Sequence, residues 1–230
     1  MLTGLVATLV VAPPREFRLV ANELFSYQVK QLFINPKRDE KTEYVYRVDY
    51  NVKSVSAGRL GTLDVTRQMT GMFVDGDQVK LPSNQLATTL SEQRNPFGEI
   101  RNRRVHPSHP YLLARQTRVL DFRYPTQTMR IGMEWETTIP AAENNQVPAA
   151  TWSWRVTNIT DKFVGVEFTF SELKSDTAMK GEGTLLLDNV NGWPISARAE
   201  IKNARIPGDE LNDVMTLRIS WNRNFPKVGG

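Results

Sequence analysis

At 230 residues, with 40% hydrophobic content and five Trp, six Tyr and ten Phe, the chain can build one large interior or two small ones without a disulfide or metal to close it. The 29 Lys and Arg against 25 Asp and Glu leave a formal charge of +4, mixed along the chain. That balance excludes the dense basic stripe of a nucleic-acid binder, and the absence of Cys excludes disulfides, thiolate zinc sites, iron–sulfur ligation, a cysteine nucleophile and an N-terminal lipidated cysteine.

The first segment, Leu2 to Ala12, is an unbroken run of apolar and small residues, with Val10 and Ala12 placed like the small residues before a signal-peptidase cut. Residues 1–14 therefore read as an export signal. No Lys or Arg precedes the run and Pro13-Pro14 follow it, so a first buried strand is the alternative. The run is shorter than the roughly 20 apolar residues of a membrane-spanning helix.

From residue 15 to 230 the dominant period is two, which marks strands with one buried face. Phe25, Tyr27 and Val29 alternate with polar neighbours. Tyr44, Tyr46, Val48, Tyr50 and Val52 make one face of the next strand nearly all aromatic or β-branched. Leu63, Val65 and Met69 continue the pattern, and Asp75-Gly76 between Val74 and Val79 signals a hairpin. The middle of the chain breaks it: Ser83 is placed to cap a short helix carrying Leu86 and Leu90, and Pro110 to start another through Leu112, Leu113 and Ala114, before Val119. Beyond, Met129, Ile131, Met133 and Trp135 form one stripe, Trp152, Trp154 and Val156 a second, and Val164, Val166, Phe168 and Phe170 a third. Pro140 to Pro148 reads as a hairpin connection. Leu185 and Leu187 lead into a turn at Asp188 to Gly192, then Ile195, Ala197, Ala199 and Ile201, and finally Met215, Leu217, Ile219 and Trp221. Template matching predicts about ten or eleven strands, antiparallel because they follow one another locally, with one or two short helices.

From Asp121 onward, YPTQTMRIGMEWETTIP and GEGTLLLDNVNGWPISARAEI resemble the C-terminal half of uncharacterised secreted bacterial β-rich proteins. These are distantly similar to the half-barrel lipoprotein carriers of the bacterial envelope. The motifs are turn and strand grammar and contain no chemical residue. The resemblance implies a mainly β domain, one strongly curved antiparallel sheet or half-barrel with a few helices across its concave side, and a non-enzymatic role. It carries over no binding residue.

No nucleophile elbow, phosphate loop, dinucleotide fingerprint or zincin pair occurs. His106 and His109 are the only imidazoles and sit in a proline-punctuated loop, short of the three or four ligands a zinc site needs. Glu134 and Glu136 flank Trp135 on the polar face of a strand, where carboxylates are ordinarily a wet surface. Asn158-Ile159-Thr160 matches a glycosylation acceptor, relevant only in a eukaryotic secretory pathway. The most distinctive stretch is Arg94 to Pro110, with four arginines, both histidines and three prolines. Arg94, Arg101, Arg103 and Arg104, with His106 and His109, form the candidate anion or partner surface, since guanidinium forks suit phosphate and carboxylate.

These observations favour an extracytoplasmic, non-catalytic binding or carrier domain for a hydrophobic or lipid-like ligand, without cofactor or metal. Its expected contacts are such a ligand, an envelope partner protein or a membrane surface. The competing reading is a structural or interaction domain with a fully packed core; a carrier should keep a pocket of roughly 300 Å³ or more.

Overall fold

The computed structural model describes residues 12–81, 87–104, 115–116, 118–141, 147–173, 177–206 and 213–224. Six strands precede a long connection: β1 (Leu24–Asn35), β2 (Glu40–Val55), β3 (Gly61–Val74), β4 (Asp77–Gln78), β5 (Thr88–Arg94) and β6 (Ile100–Arg104). Six follow it: β7 (Glu134–Ile139), β8 (Ala150–Ile159), β9 (Phe163–Glu172), β10 (Lys180–Asp188), β11 (Pro194–Ala204) and β12 (Met215–Arg223).

All twelve belong to one antiparallel sheet in the order β6-β5-β3-β2-β1-β12-β11-β10-β9-β8-β7, with β4 paired to β3. The sheet is two meanders fused where the first strand meets the last, along Tyr27↔Arg223 to Ile34↔Thr216. β6 and β7 lie at opposite ends of this order, and the described residues between them, 115–116 and 118–133, form a crossing segment against the inner face.

Alternation places the core. On β1, Phe25, Tyr27, Val29, Gln31 and Phe33 face inward; on β8 to β10, Trp152, Trp154, Val156, Val164, Val166, Phe168, Phe170, Leu185 and Leu187 do the same and are nearly inaccessible. At the β3–β4 turn Asp75 and Gly76 both have positive φ, 49° and 95°, as a type I′ hairpin requires.

Four expectations change. The described residues hold twelve strands rather than about ten or eleven. Leu90 lies on β5, paired with Val65, not on a helix begun at Ser83, because β3 offers an open edge to residues 88–94; residues 82–86 lie outside the described set. The helix expected from Pro110 falls mostly outside it too; Arg115 and Gln116 are helical and a 3-10 turn follows at Arg118–Leu120. The Met129-to-Trp135 stripe is not one strand face: Met129 is buried, but Ile131 is 64% exposed at a turn where Gly132 has φ 78°. Pairing with β8 begins at this turn, where Gly132 N–H donates to the Val156 carbonyl at 2.8 Å and Val156 N–H to the Met133 carbonyl at 3.0 Å. A smaller shift occurs at β11, where a bulge puts Pro194 rather than Ile195 opposite Leu187. Of the expected export segment, residues 1–14, residues 1–11 also lie outside the described set.

Candidate functional site

The crossing segment supplies the inner layer. Val119, Phe122, Tyr124 and Met129 are almost fully buried, and indole N–H groups bind its backbone: Trp152 Nε1 donates to the Val119 carbonyl at 3.1 Å and Trp135 Nε1 to the Arg123 carbonyl at 3.1 Å. Phe122 packs edge-on to Trp154, with ring centroids 5.1 Å apart, and Tyr124 donates to the Gly192 carbonyl at 2.7 Å. Beside it, Phe17 from the N-terminal stretch meets Tyr124 and Trp193 at 5.1 Å, and its N–H donates to the Pro96 carbonyl at 2.7 Å.

One carboxylate pins the start of this segment to the end of β9. Glu172, whose side chain is inaccessible, accepts from Arg115 Nε and Nη2, from Arg118 Nη2 at 3.2 Å and from the Met179 N–H at 2.9 Å. Two guanidinium groups on one buried carboxylate form a charge-assisted clamp. Burial lowers the pKa of Arg118, and Glu172 opposes that shift.

Between this segment and the first meander lies a cavity of about 90 Å³. Val29, Val48, Tyr50, Val65, Leu90, Ile219 and Trp221 contribute its sheet side, and Leu120, Phe122 and Gln116 close it from above. Polar side chains share the same lining: Gln31, Arg67, Thr88, Glu92, Arg94 and Asp121. Glu92 and Arg94, two residues apart on β5 and therefore on one face, form a buried pair with Arg94 Nη2 at 2.9 Å from Glu92 Oε1. Arg67 donates through Nη2 to Gln31 Oε1 at 2.9 Å and lies with its guanidinium carbon 3.6 Å from the Tyr46 ring centroid. Burial pushes the Arg67 pKa down and that of the Tyr46 hydroxyl up, and each is partly offset by the other. Among the described residues, three atoms of cavity-lining side chains have no hydrogen-bond partner: Arg67 Nε, Gln116 Oε1 and Trp221 Nε1.

The structure divides the arginine group expected from the sequence. Arg94 points into the interior and is paired with Glu92, so it belongs to the cavity rather than to an outer surface. Arg101 is 63% exposed and 3.5 Å from Glu99. Arg103 and Arg104 continue β6 beyond it, while His106 and His109 lie outside the described residues. Glu134 and Glu136 are exposed on β7, the first 3.8 Å from Arg155 and the second accepting from Ser153 at 3.2 Å. They rim an open trough of about 740 Å³ on the sheet surface. Trp152 and Trp154 are core residues, Asn158 is exposed, and among the described residues no three His, Asp or Glu side chains gather as metal ligands.

Sequence reasoning missed Gln31, Arg67, Glu92 and Gln116. A signal was present for the first two. Gln31 occupies the frame of Phe25, Tyr27, Val29 and Phe33, and Arg67 that of Leu63 and Val65, so each is a polar residue where the period of two demands an apolar one.

No protein-family model matches the chain, and no curated protein sequence does either. Among solved structures, a lipovitellin structure concerned with lipid–protein interactions superposes with a TM-score of 0.58 at 11% identity over 92% of this chain. The likeness is one of fold: a large antiparallel sheet. This chain spans 26% of the lipovitellin chain. DynF from the dynemicin biosynthesis pathway of Micromonospora chersina is also 11% identical over 95% of this chain and 86% of its own, but at a TM-score of 0.20 the superposition carries no argument.

Proposed function

We propose that this chain is a non-catalytic, extracytoplasmic binding or carrier domain for a hydrophobic, lipid-like ligand, with the cavity under the crossing segment as the seat of the ligand's apolar end. The observation that carries this reading is the apolar lining of that cavity, with aliphatic and aromatic side chains from β1, β2, β3, β5 and β12 facing Leu120 and Phe122. The fold shared with lipovitellin, a protein whose structure was studied for its lipid interactions, supports the same reading. The cavity volume of about 90 Å³ is below the roughly 300 Å³ that encloses a whole drug-sized molecule, so only part of a ligand enters unless the crossing segment lifts. In this reading the sheet curves around that segment as a half-barrel, and residues 1–14 direct export.

Native mass spectrometry of protein purified from its own host tests the proposal: a co-purifying apolar compound, lost in a Val65→Trp variant that fills the cavity, is the expected result. A second reading is favoured by the small cavity and by the close packing under β8 to β10: a structural or partner-binding domain that holds no ligand. Protein without bound mass, together with failure of short apolar molecules to bind the purified domain, would establish that reading instead.

A further inference from the structure

The arginines of this molecule do not share one fate. Arg94, Arg115 and Arg118, the most deeply buried, each reach a carboxylate at hydrogen-bond distance, Glu92 for the first and Glu172 for the others. Arg67 does not. Its charge rests on a neutral amide, Gln31 Oε1 at 2.9 Å, and on the face of Tyr46, while its Nε has no acceptor. Arg67 is half-buried; a cation partly withdrawn from water without a counter-charge is stabilised by an anion beside it, and a guanidinium presents its Nε and Nη donors as a fork suited to carboxylate or phosphate oxygens. Among the described residues the same cavity holds a second idle donor, Trp221 Nε1, and an idle acceptor, Gln116 Oε1; of the two carboxylates in its lining, Glu92 is paired with Arg94, and Asp121 is the other. Trp221 is buried to 8% exposure and Gln116 completely.

Resting on the carrier reading above, we infer that the ligand is an anionic amphiphile: a short apolar chain fills the cavity, and an acidic oxygen group at its end pairs with Arg67, assisted by the Trp221 indole N–H. A hydrocarbon alone would leave all three polar atoms unmet. A neutral alcohol would satisfy some of them and leave the Arg67 charge uncompensated. The chemistry is common to carboxylates and phosphate esters, so both are tested.

The experiment titrates the whole chain with hexanoate, hexyl phosphate and 1-hexanol at neutral pH and low salt, following the Trp221 indole N–H resonance and the heat of binding. Expected is at least tenfold tighter binding of one or both anions than of 1-hexanol, and loss of that preference in Arg67→Gln with 1-hexanol affinity retained. Arg67→Lys keeps the charge but not the fork and should retain part of the preference. If 1-hexanol binds as tightly as both anions, this inference is overturned while the carrier reading stands. If none of the three binds, the cavity holds water only and both fall. Should Arg67→Gln fail to fold, the wild-type comparison of anions with alcohol still decides.

Discussion

The two meanders that meet at β1 and β12 use the same alternation to different ends. Under β8 to β10 the inner face is closely packed: Trp152, Trp154, Val156, Val164, Val166, Phe168 and Phe170 are at most 3% exposed, with Trp154 against Phe122 and the Trp152 indole bonded to the Val119 carbonyl. Under β2, β3 and β5 the same face carries Arg67, Glu92 and Arg94 among half-buried Tyr50, Val65 and Leu90, and space remains. A sheet can therefore devote one portion of its inner face to stability and keep another for contact with something else. Burial of polar groups distinguishes the two, since only groups with partners, present or to come, repay their desolvation.

Several substitutions would break or sharpen this contrast. The largest effect is expected at Glu172→Gln, which leaves Arg115 and Arg118 buried around an uncharged amide; removing one partner of a buried pair costs about 3–5 kcal/mol, to be read from the denaturant midpoint. A loss below about 1 kcal/mol would show that the crossing segment is not anchored there.

Trp152→Ala should cost about 3–5 kcal/mol in the closely packed half. Adding a methylene is the sharper comparison. Val164→Ile in the packed half should lose about 1–3 kcal/mol through overpacking, whereas Val65→Ile, beside the cavity, should be neutral or stabilising. Equal losses at the two sites would erase the distinction between the halves.

Gly192→Ala should cost about 1–3 kcal/mol at the β10–β11 turn, where Tyr124 of the crossing segment docks. Gly192 has φ 74°, and a Cβ there would lie 2.5 Å from both the Glu16 carbonyl oxygen and the Tyr124 hydroxyl oxygen. Thermal unfolding of the variant measures it.

The smallest effect on stability belongs to β6. Replacing Arg101, Arg103 and Arg104 by Ser should change stability by less than about 0.5 kcal/mol, as Arg101 is exposed and makes only a surface pair with Glu99. We propose this stretch as an anion-facing surface, so the triple variant should bind anionic vesicles less well than the wild type at low salt. A wild type with no preference for anionic over neutral vesicles would end that proposal.

The sequence by itself determined which residues lie on which face. The frames of Tyr44 to Val52, Val164 to Phe170 and Met215 to Trp221, and the turn at Asp75-Gly76, follow from side-chain alternation and from the φ > 0 that a tight hairpin needs, both local properties. Tertiary structure alone decided which strands are neighbours. Alternation is silent on partners, so the β1–β12 seam, the pairing of Leu90 with β3 and the placing of β6 and β7 at opposite edges were not legible in it. Nor was the fate of the charges. Arg94 and Arg101 look alike in a run of arginines, but the inward frame of β5 carries one to Glu92 while β6 leaves the other exposed; Arg115 and Glu172 are 57 residues apart in the chain and touch only because the crossing segment brings them together. The cost of burying a charge is set by its neighbours in space, which no local pattern encodes.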